Sequence, residues 1–291
     1  MLGPLRLLQP TTVAEASAAI REIGEKAKIY AGGAELLLLM HHGLVHTEVL
    51  VNIKKIENLN RITWDGNMLR VGACVTHYAL ETSDVVRKHA SLLADAESQV
   101  ATVRVRNQGT LGGNLCFNDP HSDPGTVLLV HEASVVLGSQ QGDRQMPLDD
   151  FFLDMYATAQ DPEELLVEVQ IPPLPAGMRG AYLRLHRYQR PTLGVGAAVA
   201  MNNGTIAEVR LAVGCIGPKA QRLRELESKI KGVKVNEVNK LLAEQKVYLR
   251  NVLKPVDDLL GSADYKLYMT GVLLSSALEQ VAEKNVDDRR G

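Results

Sequence analysis

Asn107-Gln108-Gly109-Thr110-Leu111-Gly112-Gly113-Asn114 is the stretch on which the reading of this chain turns. It follows a helix pattern over about Leu92 to Val105 and sits in an expected loop, Asn107 to Asn118. Its glycines permit close backbone approach, and its N–H groups, threonine hydroxyl and amide are all able to meet an anion. An earlier double glycine lies in Tyr30-Ala31-Gly32-Gly33-Ala34-Glu35-Leu36. It is placed between an expected strand, Lys28 to Ala31, and a short helix, Glu35 to Met40. Consecutive N–H groups at such a junction converge on an anion, and the helix start adds partial positive charge. Two such loops in one domain suit the two phosphates of a dinucleotide. The alternative is that each is simply a tight turn. Neither has the G-x-G-x-x-G spacing, and G-x-x-x-x-G-K-[ST] is absent, so nicotinamide binding of the usual kind and P-loop phosphoryl transfer lose support.

Around these loops the pattern mixes strands and helices without regular βαβ alternation. Thr11 or Thr12 caps a first helix, Val13 to Ile23, whose stripe is Ala16, Ala19, Ile20 and Ile23 and whose end is Gly24. Strands are expected at Glu48 to Ile53, Leu69 to Val75, Ala133 to Leu137 and Leu165 to Ile171, with a helical segment at Thr126 to Glu132. Pro172-Pro173-Leu174-Pro175-Ala176-Gly177 is the best linker, because proline cannot donate to a sheet ladder. After it come strands at Ala181 to Tyr188, Leu193 to Met201 and Thr205 to Ile216. The last two are joined by Asn202-Asn203-Gly204, residues that tolerate positive φ in a hairpin. Helices at Ala220 to Ile230, Val235 to Lys246 and Ala263 to Glu283 close the chain. The class is α+β, with a boundary near 172–178.

Composition narrows the function. The chain has 291 residues, 45% hydrophobic and 23% charged, with a net charge of -2, which disfavours a nucleic-acid binder driven by phosphate neutralisation. Cys74, Cys116 and Cys215 are scattered, with no CxxC pair, so an Fe–S cluster, a cysteine-rich zinc site and a disulfide framework all lack their ligands here. This sparse use fits a reducing cytoplasm. No apolar run reaches the roughly 18 residues of a membrane span. The start, Met1 to Arg6, does not read as a signal peptide. His41, His42 and His46 invite a metal reading, but Gly43 interrupts the helix, and a solvated helix end is the better one. In Asn118-Asp119-Pro120-His121-Ser122-Asp123-Pro124, Asp119 and Asp123 are either turn and cap residues or acceptors for ligand hydroxyls.

At these loops the sequence resembles the FAD-binding medium subunit of the molybdenum hydroxylases, the family of carbon monoxide dehydrogenase and xanthine dehydrogenase. Tyr30-Ala31-Gly32-Gly33 matches the first flavin loop, and Asn107 to Asn114 the second. Asp123 falls nine residues after Asn114, where the family carries an aspartate to the flavin. The likeness extends to Glu164-Leu165-Leu166 and to Asp264-Tyr265-Lys266.

The resemblance implies a two-subdomain FAD-binding domain of the PCMH type over 1–174, with subdomains of about 1–56 and 57–174. A C-terminal α+β domain of a three-stranded sheet plus helices would follow over 178–285. Ile29, Tyr30, Ala31, Gly32, Gly33, Ala34, Glu35 and Leu36, with Thr110, Leu111, Gly112, Gly113 and Asn114, are expected to wrap the FAD pyrophosphate. Asp123 is expected on flavin-side hydroxyls, Val100 and Leu166 in apolar contact with the cofactor, and Thr76 as a further contact. His186 stands where many relatives have lysine beside the flavin, and Thr192 or Leu193 where the carbon monoxide enzyme has a tyrosine. Those departures bear on which electron acceptor is used.

The implied function is an electron-transfer flavoprotein subunit. Substrate would be oxidised at a molybdenum cofactor on a large subunit, and electrons would pass through 2Fe–2S centres on a small subunit to FAD and an external acceptor. The assembly implied is a dimer of heterotrimers, with no catalytic or metal-ligating residue in this chain. The alternatives are a free-standing flavin oxidase or dehydrogenase, and a scaffold that has lost its flavin.

Overall fold

The computed structural model describes residues 4–186 and 190–287. The chain begins with a small parallel sheet. Strand β1 (Arg6–Leu8) leads to helix α1 (Val13–Ile23), β2 (Ala27–Tyr30), α2 (Leu36–His41) and β3 (Val49–Asn52), and β3 is the central strand of the three. The Thr12 hydroxyl caps α1 by accepting from Glu15 N, and Gly24 ends it at φ +67°. Ala16 and Ile20 bring the helix onto Val49 and Val51, which form a small core with Ile53 and Leu165.

A five-stranded antiparallel sheet follows, in the order β4 (Ile62–Trp64), β5 (Leu69–Gly72), β10 (Leu165–Ile171), β6 (Ser134–Ser139) and β7 (Gly142–Pro147). Between β5 and β6 run six short helices. They are α3 (His77–Thr82), α4 (Asp84–His89), α5 (Ser91–Glu97), α6 (Val103–Gln108), α7 (Leu111–Phe117) and α8 (Pro124–Val130). A short helix, α9 (Leu148–Phe151), and the two-stranded pair β8 (Phe152–Asp154) and β9 (Ala157–Thr158) lie between β7 and β10.

Two sequence expectations change here. The pattern over Leu92 to Val105 is two helices, α5 and α6, because Ala101 takes φ +40° and Thr102 caps a new start by accepting from Val105 N. The segment expected as a loop over Asn107 to Asn118 contains helix α7, capped by Thr110.

Beyond the proline segment, β11 (Arg179–Leu185), β12 (Leu193–Asn202) and β13 (Thr205–Gly214) are the three long strands expected, and β14 (Gln221–Arg222) adds two residues at the edge. Tyr188, the expected end of the first strand, lies outside the described residues. Asn203 and Gly204 form the hairpin turn at φ +46° and +81°. One face of this sheet presents Leu193, Val195, Ala197 and Val199 to a core shared with Leu274 and Leu278. These leucines come from the long helix α13 (Ala263–Asp287), which follows α10 (Arg224–Ile230), α11 (Val238–Glu244) and α12 (Lys246–Leu253).

The other face is built from small residues. A Cβ on Gly196 would stand 3.0 Å from Val130, and one on Gly214 would stand 2.2 Å from the Thr126 hydroxyl. Glycine therefore lets α8 lie close on the sheet, and the second and third units share one core through Tyr182, Ala198 and Ala212.

Candidate functional site

A cleft of about 570 Å³ opens where the parallel sheet meets the helices of the second unit, with Arg190 and Pro191 of the C-terminal unit at its rim. That is the size and placement of a small-molecule or cofactor site. The first glycine loop enters from β2. Gly33 takes φ +79°, and the Tyr30 ring occupies the place its side chain would need, 2.3 Å from an ideal Cβ. A Cβ on Gly32 would lie 2.1 Å from the Gln108 carbonyl oxygen, and one on Gly112 would lie 2.7 Å from the Ala73 carbonyl oxygen. The two loops thus pack backbone against backbone, and their glycines serve close packing as well as the cleft lining. At Gly113 the nearest atom is the Thr110 hydroxyl, at 2.9 Å.

The loops differ in what they leave free. In the second, Gly109 N donates to Val105, Leu111 N to Val75, Gly112 N to Ala73, Asn114 N to Thr110, and Gly113 N to the Thr110 hydroxyl at 3.1 Å. Only Thr110 N lacks an acceptor there among the described residues. In the first loop the successive N–H groups of Gly32, Gly33, Ala34 and Glu35 have no acceptor among the described residues, and all four residues line the cleft. Orphaned donors in series are what an anionic group requires.

Most residues singled out in the sequence meet at this cleft. Ile29, Ala31, Gly32, Gly33, Ala34, Glu35, Leu36, Val100, Thr110, Gly112, Gly113, Asn114, Asp123 and Leu166 line it. Four do not. Tyr30 packs on Gly33 with the Lys54 ammonium 4.2 Å from its ring centroid. The Thr76 hydroxyl caps α3 by accepting from Ala79 N, and Leu111 is fully buried in the core. His186, at φ +73°, holds the Thr192 hydroxyl through Nδ1 at 2.6 Å.

Asp123 sits deep in the wall. Its side chain does not cap α8; Oδ1 accepts from the Tyr182 hydroxyl at 2.5 Å and Oδ2 faces the Arg184 guanidinium at 3.2 Å. Burial pushes its carboxyl up to about 6, against the opposing pull of Arg184 and Tyr182. The same carboxylate, and burial first, holds the Tyr182 phenol well above its usual range. Asp119, by contrast, forms a turn, accepting from His121 N at 2.9 Å, and pairs with Arg190, which also reaches Glu35 at 3.5 Å. His121 Nδ1 donates to the Pro191 carbonyl at 2.8 Å and its Nε2 faces Asp258 at 3.4 Å, and Ser122 donates to the Asn114 amide oxygen at 2.6 Å.

Sequence reasoning did not single out Arg190, His77, Glu97, Tyr182 or Arg184. Tyr182 and Arg184 share a face of β11 by the two-residue period, but nothing local connects them to Asp123. His41 and His42 lie exposed at the end of α2, and His46 is exposed in the following turn.

Comparison with known proteins places these features in a family. The model for the FAD binding domain in molybdopterin dehydrogenase matches residues 3–174, and that for the CO dehydrogenase flavoprotein C-terminal domain matches 182–281. The carbon monoxide dehydrogenase medium chain of Hydrogenophaga pseudoflava is 32% identical over 272 residues, covering 92% of this chain and 94% of that one. The xanthine dehydrogenase FAD-binding subunit of Escherichia coli O157:H7 is 27% identical, covering 88% of each. Among solved structures, carbon monoxide dehydrogenase from Hydrogenophaga pseudoflava lacking the Mo-pyranopterin moiety of the molybdenum cofactor superposes with a TM-score of 0.91. It is 30% identical, with 97% of this chain and 99% of that chain covered.

Proposed function

Since the chain belongs to the family of FAD-binding domains of molybdopterin dehydrogenases, as an FAD-binding subunit of the carbon monoxide and xanthine dehydrogenase type, we propose that it holds one FAD in this cleft as the electron-transfer flavoprotein of a three-component enzyme. The four orphaned N–H groups of Gly32 to Glu35 carry this reading, because they give the cleft the donor set a pyrophosphate needs. When bound, FAD supplies the redox chemistry of its isoalloxazine, taking electrons from a molybdenum centre on a large subunit through 2Fe–2S centres on a small subunit and yielding them to an external acceptor.

The residues of this chain bind and position. Ile29 to Leu36 wrap the pyrophosphate from one side, and Thr110 to Asn114 close it from the other. Val100 and Leu166 give apolar surface that excludes water. Asp123, fixed by Tyr182 and Arg184, offers its remaining lone pairs to flavin-side hydroxyls. Thr76 supports the second loop through its bridge to Thr110, and His186 orders the strand end beside the cleft. Leu111 and Tyr30 hold the loops from behind.

Of the carboxylates lining the cleft, Asp119 pairs with Arg190 and Asp123 with Arg184, so neither is a free base for substrate, which favours a subunit over a self-contained oxidase. The domains proposed are 1–174, divided near residue 56, and 178–285. The assembly proposed is a dimer of heterotrimers in the cytoplasm, where the cysteines Cys74, Cys116 and Cys215 stay free thiols. No helix among the described residues is long and apolar enough to cross a membrane. The test is turnover. The FAD-loaded chain alone should oxidise no substrate and gain dehydrogenase activity only with its two partner subunits. Substrate oxidation by the chain alone contradicts the reading.

A further inference from the structure

His77 and Glu97 form a pair that the proposed function leaves unused. Glu97 is wholly buried, and its Oε2 lies 2.7 Å from His77 Nδ1. Its other oxygen, Oε1, has no hydrogen-bond partner among the described residues. His77 is 3% exposed yet lines the cleft, and its Nε2 has no hydrogen-bond partner among the described residues. The ring edge that carries Nε2 lies against the second glycine loop. A Cβ on Gly109 would stand 3.0 Å from His77 Cδ2 and 3.4 Å from Nε2, and His77 N donates to the Gly109 carbonyl at 3.1 Å. The absence of a side chain at Gly109 is therefore what admits the imidazole to the loop.

A buried carboxylate with an unsatisfied oxygen is costly unless a neighbouring charge compensates it. A carboxylate on one nitrogen of an imidazole fixes the ring and directs the other nitrogen outward, as it does for histidines that hold a metal or an anion. Here the outward nitrogen meets Gly109 beside Thr110, whose N–H is the untaken backbone donor of the loop among the described residues. We infer that His77 is a further ligand of the dinucleotide, donating to a pyrophosphate oxygen through Nε2–H, with Glu97 as the positioning residue that holds Nδ1. The inference rests on the proposed FAD site and adds to it a side-chain donor, where the two glycine loops offer chiefly backbone donors. Charge-assisted hydrogen bonds to phosphate are about twice as strong as neutral ones, which is what such a residue contributes.

The full-length chain, freed of flavin, is titrated with FAD as the parent, His77→Gln and Glu97→Gln, and bound FAD is followed by ³¹P resonance. His77→Gln should weaken FAD binding about tenfold, and Glu97→Gln, which keeps a partner for Nδ1 but removes the charge, should weaken it less. In the ¹⁵N-histidine-labelled parent, FAD binding should move the Nε2 resonance of His77, and the pyrophosphate ³¹P signals should differ between the parent and His77→Gln. The ¹⁵N measurement needs no variant, so it decides the matter even if His77→Gln fails to fold. A parent that binds FAD with His77 resonances unmoved overturns the inference while leaving the proposed function intact. So do an unchanged FAD affinity in folded His77→Gln and unchanged ³¹P signals. A parent that binds no FAD overturns the proposed function itself.

Discussion

The Tyr182 hydroxyl donates to Asp123 Oδ1 at 2.5 Å, joining a C-terminal strand to the wall of the cleft across 59 positions of sequence. Both side chains are buried, and Arg184 faces the second carboxylate oxygen. The contact therefore links the C-terminal unit to the orientation of a cleft residue.

Asp123 also makes stability depend on pH. Its folded-state carboxyl is pushed up to about 6, above its value in the unfolded chain. The folded state thus holds a proton that the unfolded state has released, and this contribution is present at low pH and lost as pH rises through about 6. The stability of the parent relative to Asp123→Asn should fall as pH rises from about 4 to about 6 and level off above. Urea unfolding across that range checks it, and a constant difference contradicts it. Tyr182→Phe should cost about 2 kcal/mol at neutral pH, the usual loss for a hydrogen bond to a charged group.

The glycines of the two loops should fail in different ways. Gly32→Ala and Gly112→Ala place a methyl against backbone carbonyls of Gln108 and Ala73, so each should cost about 2 kcal/mol of stability. Gly113→Val meets the Thr110 hydroxyl and the cleft, so it should keep the fold and lose FAD. Thermal unfolding and flavin content measured on the same samples separate the two effects. Unchanged flavin in folded Gly113→Val would count against the loop assignment.

Arg190 ties Asp119 to Glu35 across the rim, linking all three units at the cleft mouth. Half of its side chain is exposed, so Arg190→Ala should change stability by less than about 1 kcal/mol. It should speed FAD release several-fold by opening the rim. Stopped-flow displacement of bound flavin reads this directly, and an unaltered release rate refutes it.

Lys266 is fully buried, with its ammonium on Asp258 at 2.5 Å and on the Val256 carbonyl at 3.0 Å. The lysine holds the Asp258 carboxyl below its usual range although partial burial acts the other way. Asp258→Ala leaves a buried cation without its anion and should cost about 3 kcal/mol. Asp258→Asn, which keeps an oxygen acceptor, should cost less. Denaturant midpoints of the two variants give the comparison.

Where local chemistry dominates, the sequence was sufficient. The Thr12 cap and Gly24 stop bound α1, the prolines after Ile171 end β10, and Asn203-Gly204 turns the hairpin. It failed where tertiary contact decides. Ala101 adopts positive φ without being glycine or asparagine, so no residue signal announced the break between α5 and α6. Gly112 and Gly113 suggested a loop, yet they lie in α7, where Ala73 leaves no room for a side chain at Gly112. In the site, the glycine loops stood out because spacing and residue type mark them. The partners of Asp123 and the His77–Glu97 pair did not, because they meet only through folding.

The central claim is that this cleft holds FAD, and the flavin content of the purified full-length chain tests it most directly. About one FAD per chain, released on denaturation and restored by adding FAD to the refolded protein, is the result predicted. A folded, colourless chain that takes up no FAD at saturating concentration would contradict it.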